Sequence, residues 1–351
     1  MGVTRRPDGA WRARWIGDDG REVSKHFRTK REAQLWEGEQ RSKRAQGTWV
    51  NPNDKTTVSQ FAWQWAKGRP FRPSTARNVA GMIRNHISMT PLGSRRLSAV
   101  RPSEIQVWVT SRAALMAPSR LRVLVNLLRS IFKDAVLDGL IVKSPVVRLS
   151  MPSMEQARIV PLSVAEVMTL ADAVPQRNRA MIMTQATTGL RLSELLALRV
   201  EDVDFLRRTL RIELQYGDHN RVRVELKTPR SKRTIPLPTV TAEALAAHIA
   251  NFPPGDDGTL FVTSAGNGYR ANYYTTKVFK AAVDRAGLPQ GTSSHDLRHF
   301  YASQLLEAGE SVVTVSDRLG HANAQMVLSA DFRAGGWGNP GVGRHASDLR
   351  R

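Results

Sequence analysis

A chain of 351 residues, 41% of them apolar, is long enough for two or three domains with sizeable cores, and the absence of cysteine excludes disulfides and thiolate metal sites. The formal charge of +21 suits a protein that meets a polyanion. No run of about 18 apolar residues occurs, and the first residues are charged where a signal peptide would be apolar, so a soluble, cytoplasmic protein without a membrane partner is expected. The charge is uneven: residues 1–150 hold 28 Lys and Arg against 11 Asp and Glu, a net of +17. Phosphate neutralisation on that scale makes affinity fall steeply with salt.

In chain order, residues 1–50 predict a three-stranded sheet plus one helix. Trp11-Arg12-Ala13-Arg14-Trp15 alternates at period two, Gly17-Asp18-Asp19-Gly20 makes a turn, and Arg21 to Phe27 alternates again. Thr29 with Glu32 forms a capping box that opens a helix over Lys30 to Ala45. Arg12 and Arg14, interleaved with tryptophan, suit contacts to DNA grooves and backbone. Trp11 and Trp15 equally read as the small core of the sheet, which leaves the arginines on the opposite face to bind.

Asn51 to Lys55 reads as a linker. Residues 56–148 then show four helical patterns, Val58 to Ala66, Ser74 to His86, Pro102 to Leu115 and Pro118 to Leu137. Arg72, Arg77, Arg84, Arg120, Arg122 and Arg129 recur along them and predict a basic face. Ser150 to Ile159 is a second linker, and Ser163 with Glu166 caps the next helix. The expected remainder, residues 157–332, is mainly helical with small sheets (α+β), ahead of an irregular tail over 333–351.

The stretch from Thr187 to Leu198 places Arg191 at the start of an apolar helix. A guanidinium there must be answered by an acid or hold an anion, and Glu194, three residues on, can steady its stem. Residues 221–237 form two alternating runs around a Pro/Ser turn, which predicts a β-hairpin with Lys227 near its tip. His295 and Arg298 share a helical face, and His321 follows a glycine break at Gly320. Each piece alone reads equally as structure: a helix-start ion pair, a solvated lysine, a capped histidine, a core-edge histidine. Together they make the ordered set Arg, Lys, His-x-x-Arg, His.

With Thr188-Gly189-Leu190-Arg191-Leu192-Ser193-Glu194, Lys227-Thr228, Arg233-Thr234-Ile235-Pro236-Leu237, His295-Asp296-Leu297-Arg298-His299 and Leu319-Gly320-His321, the chain resembles the tyrosine recombinase (phage integrase) family. The form resembled is the actinobacterial-phage-like one with an N-terminal arm-binding domain. The resemblance covers roughly residues 155–328; upstream only the layout is similar, an arm-binding domain over 1–50 and a helical core-binding domain over 56–148.

The resemblance implies site-specific recombination between attachment sites through a phosphotyrosyl intermediate, by a homotetramer on double-stranded DNA, with a DNA-bending or directionality factor as a further partner. It assigns Arg191, Lys227, His295, Arg298 and His321 to catalysis, with no cofactor and no metal. The chemistry suits these residue types. Negative charge builds on the non-bridging oxygens, where each bidentate guanidinium contributes about 3 to 4 kcal/mol. A lysine in a positive site can protonate the leaving sugar oxygen, and imidazoles serve the remaining proton transfer.

One part is missing. In the family a tyrosine follows the Leu-Gly-His histidine by about nine or ten residues, and Ala330, Asp331 and Phe332, none of them a phenol, stand there. The tyrosines are Tyr216, Tyr269, Tyr273, Tyr274 and Tyr301, none beyond His321. The glycine-rich stretch from Arg333 to Arg344 breaks any helix that would present one, as a deletion with a change of reading frame would leave it. The readings open at this point are an integrase by descent that holds phosphate without cleaving, a DNA-binding regulator or decayed prophage integrase, and a nuclease using water.

Overall fold

The structure, a computed structural model, describes residues 2–17, 20, 22–154, 160–217, 221–226, 228 and 231–320. It divides into two compact units, Met1–Gln156 and Ala157–Arg351. Both are mostly helical with small antiparallel sheets. No helix among the described residues is long and apolar enough to cross a membrane.

The first unit opens with strands β1 (Gly2–Arg5), β2 (Trp11–Ile16) and β3 (Glu22–Phe27), paired antiparallel in that order. Helix α1 (Lys30–Ala45) starts at Thr29, whose side chain and that of Glu32 cap each other's backbone. Alternation along β2 buries Ala13 and Trp15 on one face, Trp15 in a core with Val23, Trp36 and Trp49. Arg12 and Arg14 take the other face. Arg14 is exposed there, whereas Arg12 donates to Glu22 Oε1 at 2.9 Å and to Ser24 Oγ at 3.4 Å, so a carboxylate already meets its charge.

The rest of this unit is α2 (Val58–Lys67), α3 (Pro73–Met82), the short α4 (Pro91–Ser94), α5 (Pro102–Ala113) and α6 (Pro118–Leu137). The helix expected to run from Ser74 to His86 widens into a π turn over Ile83–Ser88, where the His86 carbonyl accepts from Trp108 Nε1 at 2.7 Å. Ile83, Ile87, Ile105, Leu121, Leu128 and Ile131 are fully buried between the helices. Arg72, Arg77, Arg84, Arg120 and Arg122 are all exposed.

The second unit begins with α7 (Val164–Ala173), opened by the reciprocal Ser163 and Glu166 cap, and α8 (Gln176–Thr188), buried on most of its circumference. Next come the single-turn helix α9 (Leu192–Leu195) and strands β4 (Val203–Asp204), β5 (Thr209–Ile212), β6 (Leu214–Tyr216), β7 (Arg223–Glu225) and β8 (Arg233–Pro236). Helices α10 (Thr239–Asn251), α11 (Ala271–Tyr273), α12 (Lys280–Arg285), α13 (Ser294–Glu307) and α14 (Val312–Leu319) follow.

The expected hairpin over 221–237 is corrected. β7 pairs with β6, while β8 pairs with β5 in the sheet β4-β5-β8, so the two alternating runs belong to different sheets. Alternation identifies a strand but not its partner, and the partners here lie upstream.

His248 on α10 is 4% exposed, between Phe252 and Phe261. Its Nε2–H donates to the Leu260 carbonyl at 3.2 Å, and Nδ1 has no protein partner among the described residues. Burial holds its pKa below the ordinary 6.5, against the Leu260 hydrogen bond and with help from Arg177. A depressed folded value means that its contribution to stability is complete above about 6.5 and lost as pH falls toward the folded value. Urea midpoints measured at pH 7.5 and 5.5 should therefore drop more for the native chain than for His248→Gln; equal drops would contradict this.

Candidate functional site

The site is built where three separated parts of the second unit meet. Arg191 is the N-cap of α9, and Glu194 accepts from its backbone N–H at 3.0 Å and from its Nη1 at 2.8 Å. The expected support of Arg191 by Glu194 is thus a one-way cap, the carboxylate accepting from the Arg191 backbone, plus an ion pair. Glu194 is 1% exposed and also faces Arg233, whose Nη2 donates to Oε2 at 2.8 Å and whose Nη1 donates to Oε1 at 3.4 Å. Burial pushes the Glu194 carboxyl up, but the charge and hydrogen bonds of Arg233 and Arg191 outweigh it and hold the group below the ordinary carboxylate range.

The end of α14 supplies the second half. The last carbonyls of a helix have no donors within it. Here three consecutive ones accept from three guanidiniums: Arg318 O from Arg233 Nε at 2.8 Å, Leu319 O from Arg298 Nη2 at 2.6 Å, and Gly320 O from Arg191 Nη2 at 3.2 Å. Cations at this pole also complement the helix dipole. Arg298, on α13 and 2% exposed, reaches back with Nη1 to Gly189 O at 2.6 Å.

Both glycines of the flanking motifs are required by this packing. Gly189 closes α8 at φ +64° and Gly320 closes α14 at φ +65°, a backbone region that costs other residues about 1–2 kcal/mol. A Cβ at Gly189 would collide with the Tyr301 ring, and one at Gly320 would lie 2.9 Å from Arg233 Nη1.

Of the residues expected at the site, the structure brings Arg191 and Arg298 together on adjacent carbonyls. His295 lies one turn before Arg298 on α13, exposed, its ring edge-on to His299 with centroids 4.7 Å apart. Lys227 and His321 lie outside the described residues, as do Ala330, Asp331 and the whole tail. Arg233 was missed by sequence reasoning. The available signal is its register: alternation puts it on the same strand face as Ile235 and Leu237, which are 1% and 3% exposed. An arginine on a core face has to be paired.

The five tyrosines are all described. Tyr216, Tyr269, Tyr274 and Tyr301 are buried, and burial raises the pKa of the last three, for Tyr301 against the opposing charge and hydrogen bond of Arg318. Tyr273 is 52% exposed but lines a cavity with Arg221, Arg270 and Lys277 that includes neither Arg191 nor Arg298. Among the described residues no group of three or more His, Cys, Asp or Glu is placed to hold a metal.

One carboxylate answers two guanidiniums in the Arg191, Glu194 and Arg233 triad. Of the two, Arg191 is the more open, with 35% of its side chain exposed against 7% for Arg233. Fold and site together define a mainly helical α+β protein in which three guanidiniums gather at one buried carboxylate and the end of α14.

The family model described as Phage integrase family matches residues 157–330. Tyrosine recombinase XerD of Corynebacterium glutamicum is 30% identical over 228 residues, covering 61% of this chain and 70% of that protein. The integrase of Mycobacterium phage L5 is 25% identical over 317 residues, covering 86% and 84%. The fold is shared with the Tn1549 transposon integrase in complex with a circular intermediate DNA, at TM-score 0.72 and 24% identity over 78% of this chain and 94% of that one. It is shared also with a lambda integrase tetramer bound to a Holliday junction, at TM-score 0.66 and 19% identity over 97% and 98%. The chain belongs to the tyrosine recombinase (phage integrase) family, and its function class is that of a site-specific recombinase or integrase.

Proposed function

We propose that this chain is an integrase by descent that binds double-stranded attachment-site DNA and holds a backbone phosphate, but does not form the phosphotyrosyl bond. The observation that carries the reading is the convergence of Arg191 and Arg298 on neighbouring carbonyls, with Arg191 open to an incoming anion. In this reading the two guanidiniums take the non-bridging oxygens, Lys227 donates a proton toward the leaving oxygen, and His295 and His321 hold the phosphate and move protons. No metal or other cofactor enters the reaction as proposed.

No tyrosine stands beyond His321, four of the five upstream are buried, and the fifth lines a different cavity. The exposed arginines Arg14, Arg72, Arg77, Arg84, Arg120 and Arg122 suit the phosphate backbone, with Arg12 contributing once Glu22 releases it. The organisation proposed is an arm-binding part over 1–50, a core-binding part over 56–148 and a catalytic part from 157, working in the cytoplasm. Assembly is proposed as a homotetramer on DNA, aided by a bending or directionality factor. A regulator that occupies attachment or promoter sites is the second reading, favoured by the same missing phenol.

A nicked suicide duplex, chosen by the intact chain from a random-sequence pool, tests this. The expected result is retarded DNA with no denaturation-resistant adduct. If roughly six to ten phosphates are contacted, affinity should fall about 10³- to 10⁵-fold between about 50 and 200 mM salt. A covalent protein–DNA adduct would overturn the loss of cleavage.

A further inference from the structure

Arg233 touches several of the parts from which the site is assembled. Its Nη2 and Nη1 hold the two oxygens of Glu194, the carboxylate that also carries Arg191. Nη1 further donates to Ser231 O at 3.1 Å, in the segment just after Lys227, where Thr228 and Ser231 join their hydroxyls at 2.8 Å. Nε donates to Arg318 O at 2.8 Å, and the guanidinium lies so close to Gly320 that a Cβ there would stand 2.9 Å from it.

A simple buried ion pair would use only the Glu194 contacts. The remaining donors instead reach Ser231, just ahead of β8, and the last turn of α14. The carboxylate of Glu194 already answers the charge of Arg233 at 2.8 Å, and of the two guanidiniums that share it Arg233 is the less open, with 7% of its side chain exposed against 35% for Arg191. The Arg233 guanidinium has a fixed fork of five N–H donors, which lets one side chain serve four acceptor atoms on three residues in different directions. A lysine has a single ammonium on a flexible stem and cannot span them.

We infer that Arg233 is a positioning residue: through Glu194, Ser231 and the end of α14 it sets Arg191 and the Gly320 turn in register around one phosphate. The inference rests on the reading of Arg191 and Arg298 as the phosphate clamp. It assigns Arg233 no contact with DNA, only the geometry of the groups that make one.

The test uses the full chain and a duplex it selects from a random-sequence pool, with single phosphates replaced one at a time by neutral methylphosphonates. In the native chain, neutralising the clamped phosphate should weaken binding about 10- to 100-fold, the size of a charge-assisted hydrogen-bond loss. Arg191→Ala should flatten that one position. Arg233→Met should reduce the sensitivity there to below about threefold while every other position keeps its native profile. Arg233→Lys should recover part of it. A merely structural role would instead disturb all positions together, whatever the change in melting temperature.

A folded Arg233→Met with the native profile overturns the inference while leaving the clamp standing. An Arg191→Ala profile like the native one overturns the clamp, and this inference with it. If Arg233→Met does not fold, Arg233→Lys decides: partial loss confined to the clamped phosphate supports the assignment, and an unchanged profile refutes it.

Discussion

Replacing Glu194 by alanine is expected to destabilise the protein by about 3–5 kcal/mol, because it leaves the buried Arg233 guanidinium without its carboxylate. The side chain of Glu194 is fully buried and accepts from Arg191 and Arg233 together, so no solvent replaces it for the more enclosed of the two cations. Urea unfolding at pH 7 measures the loss. Glu194→Ala combined with Arg233→Met should recover part of it, since the stranded charge is then gone. A loss below about 1 kcal/mol would mean that the pair carries little of the fold.

The same carboxyl gives a pH dependence of definite sign. Burial raises its pKa, and Arg233 with Arg191 more than reverses that, leaving the folded value below the ordinary 4.5. The stabilisation is therefore complete above about 4.5 and lost as pH falls through the folded value. Glu194→Gln, with no charge to lose, should flatten this segment of the stability curve.

Gly189→Ala is the second large effect expected. The residue sits at φ +64°, which costs an alanine about 1–2 kcal/mol. The added methyl collides with the ring of Tyr301 and comes within 2.7 Å of Leu319 Cδ2, where overpacking adds about 1–3 kcal/mol. Arg298 donates to the carbonyl of the same glycine, so a backbone shift that relieves the collision also moves the guanidinium. Thermal unfolding reads the stability. Repeating the substitution on a Tyr301→Ala background should shrink its cost, and full additivity would show that the ring is not the obstacle.

How much of this was legible depended on whether the determinant was local. The Thr29 and Ser163 caps, the tryptophan face of β2 and the support of Arg191 by Glu194 all lie within a few residues of their partners, so spacing alone points to them. The partners of β7 and β8 lie further upstream, and alternation in residues 221–237 cannot say that one run joins Leu214–Tyr216 and the other Thr209–Ile212. The π turn at Ile83–Ser88 and the early end of the Arg191 helix after one turn answer to packing rather than propensity. Arg12 was assigned to DNA from its strand face, yet a neighbouring strand brings Glu22 to it. Arg233 shows the opposite failure. Its core-face register was in the sequence, but an arginine in a basic stretch reads first as a solvated charge.

The carbonyls of Arg318, Leu319 and Gly320 are gripped by side chains from a strand, a helix and a helix cap. The backbone is therefore held in place up to Gly320 by groups that lie upstream of it. That makes the glycine a natural splice junction: a carboxy-terminal segment transplanted from a cleaving relative would start in register with the guanidiniums, with no need to rebuild the cradle it enters.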